Sequence, residues 1–434
     1  MAEMSRFQII LLAVFVFFIV GGVLAFSLYQ GSKQNERPQV VLWGTIPEQI
    51  FRNLFDTQEY RNSGLNVFYV EKDPVTLDRD FVNALAEGRG PDLILMPHDL
   101  LQKEKGKLAL IPFETYPERA YKDAFIEGAE MFIEANGIVA IPFTVDPLVM
   151  YWNRNLFQNA GIAVPPREWD EFFGLAKKLS EKDSAGNIRK SVASLGGFPN
   201  VKNAKELISL LIMQTGSPIV AVGPQGELEV ALKNTTQVGG QSGAEQALSF
   251  YTSFSDPTAV NHSWSRALPM SDNAFIGGIL ATYFGFASEL QSIRAKNPNL
   301  NFDVATIPQL KGSNTRITFG RFSAFAIPRQ VKNGGEAVLV AQTFTTTPFL
   351  ARFAEISGLP SVRRDLLSIP PTDSYKQVFY GSALISRAWR DPSGVESNNI
   401  FSSMIDDINS GREGVGGALR AASSKLQALL RKVE

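Results

Sequence analysis

The stretch GIVAIPFTVDPLVMYWNRNLF, residues 137 to 157, constrains the fold of this chain more than any other. Two runs of β-forming residues, Ile138 to Ile141 and Leu148 to Tyr151, flank Phe143-Thr144-Val145-Asp146-Pro147. Pro142 and Pro147 each bias the residue before them towards extended geometry. The stretch reads as a strand pair that carries the backbone from one lobe into another. A second lobe is required on size alone, because 434 residues exceed what one hydrophobic core organises.

Composition narrows the function classes. An apolar fraction of 44% is that of a folding chain, and 42 basic against 43 acidic residues leave no basic excess for a phosphate backbone, so nucleic acid is not an expected partner. The absence of cysteine removes disulfides, thiolate nucleophiles and Cys-ligated metals. From Phe7 to Ser32 no residue is charged. That run exceeds the roughly 20 residues needed to cross a bilayer, and its apolar core is longer than the about 7 to 15 of a cleaved signal. Residues 1–32 are therefore expected to be a short tail and a single transmembrane anchor, with the bulk of the chain outside the cytoplasm, and 33–38 a polar tether. Without a cysteine to carry a lipid, the polypeptide itself has to do the anchoring.

Beyond the tether, VVLWG, LNVFYV and LILM alternate with helical stretches from Pro47 to Phe55 and around Phe81 to Ala86. That alternation marks parallel βαβ units, hence an α/β lobe. After the crossover, Trp169, Phe172, Phe173, Ala176 and Leu179 follow helical spacing, as do stretches at 204 to 213 and 244 to 254. Strands follow at Phe302 to Pro308 and Phe319 to Pro328, and the stripe Leu419, Ala422, Leu426, Leu429, Val433 predicts a terminal helix packed on a core.

In order, the strand ending in Trp43, GPDLILMPHD, KLALIPF, the crossover, PPREWDEFFGLAKKL, FDVATIPQL, SAFAIP with its following helix, SGLPSVRRDL and FSSMIDDINSG span residues 39 to about 412. This series resembles the extracellular solute-binding proteins of ABC importers, in the sugar-binding group that is maltose-binding-protein-like. The anchor in place of a lipidated cysteine, Glu168 where a Thr usually opens the helix, and Phe286 at a position often held by Trp depart from that pattern. The resemblance implies a two-lobed, periplasmic-binding-protein-like (type II) α/β fold. It places lobe one at 39–145 and 302–360 and lobe two at 146–301 and 361–434, with a cleft between them that closes on a ligand. Open α/β sheets bind ligands at the carboxyl ends of their strands, which suits a cleft of this kind.

A hydroxyl-rich ligand presents apolar C–H faces and polar edges, so its site needs aromatic platforms and a few fixed hydrogen-bonding groups. The candidate platforms are Trp43, Tyr151, Trp264, Phe286 and Trp389. For each, a place in the core is the competing reading. Trp43, Trp264 and Trp389 stand beside polar or Gly residues and outside a clear apolar periodicity, whereas Trp152 is expected in the core. The candidate polar groups are Asp92, His98, Asp99, Asp146 and Arg321. Capping or turn roles compete for Asp92 and Asp99, and pairing with a protein carboxylate competes for Arg321.

Enzyme signatures are missing. The two histidines, His98 and His262, lack zinc spacing, and there is no G-x-S-x-G elbow. The segment from Asp183 to Asn187 is a turn rather than a calcium loop, and GVGGAL follows no strand. No cofactor, metal or catalytic residue is expected. The reading is a monomeric, membrane-anchored, non-enzymatic receptor that captures a carbohydrate or related polar solute for ABC permease subunits. The alternatives are a membrane-bound polysaccharide-active enzyme and a sensor or scaffold of the same fold without transport.

Overall fold

The computed structural model describes residues 15–16, 18–22, 37–224, 226–232, 240–313 and 315–433. Most of the expected membrane anchor and tether lies outside the described residues, of which 15–16 and 18–22 are exposed helix. Among the described residues no helix is long and apolar enough to cross a membrane.

Eight strands carry the architecture: β1 (Val40–Gly44), β2 (Val67–Glu71), β3 (Leu93–Pro97), β4 (Ile141–Asn153), β5 (Ile188–Ala193), β6 (Leu280–Phe286), β7 (Phe302–Ala305) and β8 (Thr318–Ala326). They hydrogen-bond in the order β2-β1-β3-β8-β4-β6-β5, with β7 also paired to β4. β1 is parallel to both of its neighbours, whereas β8 runs antiparallel to β3 and β4. β4 is antiparallel to β6 and β7, and β6 is parallel to β5. The helices that position the site or close the second core are α1 (Glu48–Phe55), α2 (His98–Glu104), α3 (Ala204–Gln214), α4 (Thr347–Ser357), α5 (Gly394–Asn409) and α6 (Val415–Val433). The terminal stripe packs as expected, with Leu419, Ala422, Leu426 and Leu429 buried along α6.

Two hydrophobic cores form, and β4 and β8 run through both. β4 gives Ile141, Phe143 and Val145 to the first core and Leu148 to Trp152 to the second. β8 gives Phe322, Ala324, Phe325 and Ala326 to the first and Phe319 to the second. The expected strand pair at 137 to 157 is thus mostly one 13-residue strand. Its prolines are accommodated by the partner. Ser323 faces Thr144 while Ala324 faces Pro142, so Phe143 is an extra residue on β4 beside a proline that has no N–H to give the ladder. The ring of Phe143 lies 4.4 Å from that of Phe353, 4.7 Å from Phe325 and 6.1 Å from Phe51, between the sheet and two helices.

The packing departs from the expected allocation of residues in two places. β7 pairs with Met150 to Asn153, and Phe302, Val304, Ile307 and Ile317 join the second core, so the return to the first core falls near Gly320 rather than at residue 302. Val362, Leu367 and Ala383 still belong to the first core, while Phe379 belongs to the second. Sequence alone misplaces both points because an apolar strand carries no mark of which core it serves.

Replacing Phe143 by Ala empties the junction of three aromatic rings and is expected to cost roughly 3–5 kcal/mol of unfolding free energy. Urea denaturation measures it, and a loss below about 1 kcal/mol would show that the bulge does not anchor the first core.

Candidate functional site

A cavity of about 690 Å³ opens where the two cores approach each other, within the size range of small-molecule sites. Strand ends supply one wall. β1 runs into Thr45, Ile46 and Pro47, which lead into α1, and β3 ends at Pro97, after which His98 and Asp99 open α2. Phe353, Ser357 and Leu359, from α4 and the turn after it, add to that side. The floor comes from the crossing of β4 and β8, where Thr144, Asp146, Phe319, Arg321, Phe322 and Ser323 line the space. Across it stand Lys205 and Glu206 from the first turn of α3, Ser288 just after β6, and Asp391 just before α5. Groups therefore gather at the carboxyl ends of β1, β3 and β6, as open α/β sheets do.

Of the ten residues expected at a ligand site, His98, Asp99, Asp146 and Arg321 line this cavity. Phe286 lies directly behind it, fully buried, with the Arg321 guanidinium 3.8 Å above its ring. The other five serve the architecture. Trp43 is in the first core with Lys72 Nζ 3.7 Å from its ring centre. Tyr151 is buried and donates to Phe286 O at 2.7 Å, holding β4 to β6. Trp264 is fully buried and donates to Asn200 Oδ1 at 3.1 Å, and Trp389 stacks on Phe401 at 6.2 Å. Asp92 accepts from the Val41 N–H at 2.9 Å and closes the amino-terminal end of the β1/β3 pair, away from the cavity. The polar neighbours that set the tryptophans apart in the sequence do not mark a site, and the Trp264 indole is satisfied by Asn200, 64 residues away in the chain.

Sequence reasoning missed Lys205, Glu206, Ser288 and Asp391. The stretch around 204 to 213 is legible as an apolar helix, and its two polar opening residues carry no signal of their own. Lys205 is 7% exposed and donates to Asp391 Oδ2 at 2.8 Å, to Gly394 O at 3.2 Å and to Ser397 Oγ at 3.3 Å. Burial pushes its pKa down, and the carboxylates of Asp391, which is 1% exposed, of Asp99 and of Glu206 together outweigh that and hold it up. Arg321 donates to Glu206 Oε1 at 2.6 Å and to Asn203 Oδ1 at 3.1 Å. Glu206 is likewise pushed up by burial, and the charges of Arg321 and Lys205 more than reverse this. Of the two pairings open to Arg321, the one with a protein carboxylate is formed.

Asp146 and His98 differ from these pairs. Asp146 faces Arg321 in the β4/β8 register, yet its one hydrogen bond among the described residues is from the Ser288 N–H to Oδ1, at 3.0 Å. Burial raises its carboxyl to about 6, against the opposing pull of Ser288 and Arg321 and with a further push from Glu289. His98 is 6% exposed and its Nδ1 accepts from the Phe322 N–H at 3.3 Å. Burial lowers its pKa, so the imidazole is neutral near pH 7.

Two measurements check this electrostatic layout. A carboxyl that ionises near 3.9 in the unfolded chain and near 6 when folded favours the fold while protonated. Its contribution is complete below about pH 4 and is lost as pH rises through about 6. Asp146→Asn is therefore expected to match the parent at low pH and to exceed it by on the order of 1–3 kcal/mol above pH 7, as read from denaturation midpoints. Equal pH profiles for the two proteins would contradict the assignment. Lys205→Met strands the Asp391 carboxylate and is expected to cost roughly 3–5 kcal/mol, most of which the double change with Asp391→Leu restores. Equal losses in the single and double variants would show that the ion pair is not the cause.

Comparison with known proteins gives this cavity a family. A family model described as bacterial extracellular solute-binding protein matches residues 54–379, well over half of the chain. A candidate binding protein of Brucella abortus (strain 2308) is 24% identical over 329 residues, covering 74% of this chain and 75% of that one. A maltooligosaccharide ABC transporter solute-binding lipoprotein of Streptococcus pneumoniae (strain ATCC BAA-255 / R6) is 25% identical over 57% of this chain and 53% of its own length. The crystal structure of the cyclic alpha-maltosyl-1,6-maltose binding protein from Arthrobacter globiformis superposes with a TM-score of 0.74 at 15% identity, covering 91% of this chain and 99% of that one, which shows a shared fold. The chain belongs to the bacterial extracellular solute-binding proteins, and it is a solute receptor rather than an enzyme.

Proposed function

We propose that the chain is a membrane-tethered receptor of an ABC importer that captures a carbohydrate, or a solute equally rich in hydroxyls, and presents it to permease subunits outside the cytoplasm. The observation that carries this reading is the cavity itself, whose lining comes from both cores and from the two strands that join them. A ligand seated there touches both halves at once. Its free energy of binding therefore depends on how far they have closed, and only such a difference can shift the equilibrium towards a closed form. β4 and β8 are the continuous connections about which closure would turn, with Asp146 and Arg321 at the turning point and the division into lobes falling beside them. Relatives named for maltooligosaccharide and maltotriose support a carbohydrate. The uncharged run from Phe7 to Ser32 supports a tether of polypeptide in place of lipid.

All five tryptophans, at positions 43, 152, 169, 264 and 389, are buried and none lines the cavity, so their fluorescence is a poor reporter of occupancy. Calorimetry and small-angle scattering are the better tests. Titration of a panel of mono- and oligosaccharides into the protein is expected to give saturable heat for at least one of them, no turnover, and a smaller radius of gyration at saturation. Scattering that stays constant while a sugar binds would remove the closure, and product formation would remove the receptor.

A further inference from the structure

We propose that the cavity selects a hydroxyl-rich solute bearing a protonated amine, such as an amino sugar or its oligomer, with the amine held by the carboxylates of Asp99 and Asp146 and a ligand oxygen accepting from His98 Nε2; this rests on reading the cavity as the solute site. The argument begins with charge. Four carboxylates, Asp99, Asp146, Glu206 and Asp391, line the space against two cations, Lys205 and Arg321. Each cation is already committed, Lys205 to Asp391 at 2.8 Å and Arg321 to Glu206 at 2.6 Å. Lys205 cannot turn to an anionic ligand without stranding the buried Asp391, and Arg321, which spends Nη2 on Glu206, has its charge already partly neutralised.

That leaves Asp99 and Asp146. Asp99 makes no hydrogen bond or ion pair among the described residues. Its carboxylate ends against Gly394 at the start of α5, where an added Cβ would collide with Oδ2. Among the described residues Asp146 is hydrogen-bonded by Ser288 alone. A neutral guest offers these two carboxylates only neutral donors, whereas an ammonium supplies charge-assisted hydrogen bonds to them.

Platforms are the usual alternative source of affinity for a sugar, and they are scarce. No Trp or Tyr lines the cavity, and its aromatic rings are Phe319, Phe322 and Phe353. Selectivity therefore falls to the polar groups. His98 completes the set. Its Nδ1 is occupied as an acceptor by the Phe322 N–H, so the neutral ring carries its proton on Nε2, and Nε2 has no partner among the described residues. The cavity thus lines one space with a fixed donor and two acceptors, groups that an amine flanked by hydroxyls can use.

The test uses the full-length chain in detergent and compares, by calorimetry near neutral pH, the β-1,4-linked glucosamine disaccharide with its N-acetylated form and with maltose. The amine ligand is expected to bind at least about tenfold more tightly than either neutral one, the contribution of one charge-assisted hydrogen bond. Asp99→Asn and Asp146→Asn are each expected to weaken the amine ligand roughly tenfold more than they weaken the neutral ones, with melting curves confirming that both variants fold. Neutral disaccharides that bind as well as the amine, or variants that weaken all three alike, overturn this inference and leave the carbohydrate receptor standing. Absence of binding by all three overturns this inference, and absence across the whole panel of mono- and oligosaccharides overturns the receptor reading as well.

Discussion

The antiparallel pairing of β4 with β8 is the constraint on which the rest of the molecule depends. Two hydrophobic cores too large to merge are joined by two strands whose side chains change from one core to the other, near residue 146 on β4 and near Gly320 on β8. The Thr318 hydroxyl donates to Leu148 O at 2.7 Å beside the point where the cores change over, and the Phe143 bulge locks the register on the other side. Between these two fixed points the ladder places Arg321 opposite Asp146, so the polar floor of the cavity is a by-product of the register that holds the halves together. A slip of one residue in either strand would turn its own side chain to the other face of the sheet and break the pairing.

The charges around that floor divide into those that build and those that wait. Lys205 with Asp391 and Arg321 with Glu206 are satisfied within the protein, and each joins elements far apart in the chain. Lys205 ties α3 to the start of α5, and Arg321 ties β8 to α3. Such pairs add little net stability when buried, but breaking one is costly, so they fix geometry. Asp99, Asp146 and His98 are the remainder. Asp146 accepts from the Ser288 N–H and His98 from the Phe322 N–H, and among the described residues none of the three forms an ion pair, which leaves hydrogen-bonding capacity for whatever enters.

The aromatic residues show how sequence reasoning and the fold part company. Trp43, Trp264 and Trp389 stand next to polar residues, which reads as exposure at a site. In the structure all three are buried by partners distant in the chain: Trp264 finds Asn200 for its indole N–H, and Trp389 finds Phe401 as a stacking partner. The polar candidates fared differently because proline and strand ends locate them. His98 and Asp99 follow Pro97 at the end of β3, and Asp146 precedes Pro147 at the crossing, positions that are legible along the chain. Asp92 has the same kind of neighbour but stands at the opening of its strand, and that difference in polarity sent it to the far end of the sheet.

The sequence by itself determined the class of fold, the alternation of strand and helix in the first half, the need for a second core, the amphipathic helix at the end and the ordered series of segments that ties the chain to solute receptors. These are local or composition-level properties, written in periodicity and in proline. The tertiary structure alone decided that residues 302 to 319 serve the second core, that five of the ten expected site residues are architectural and that Lys205, Glu206, Ser288 and Asp391 face the same space as His98. Those outcomes depend on which distant segments meet. A lysine that opens a helix looks the same in the chain whether it ends in solvent or against an aspartate 186 residues away.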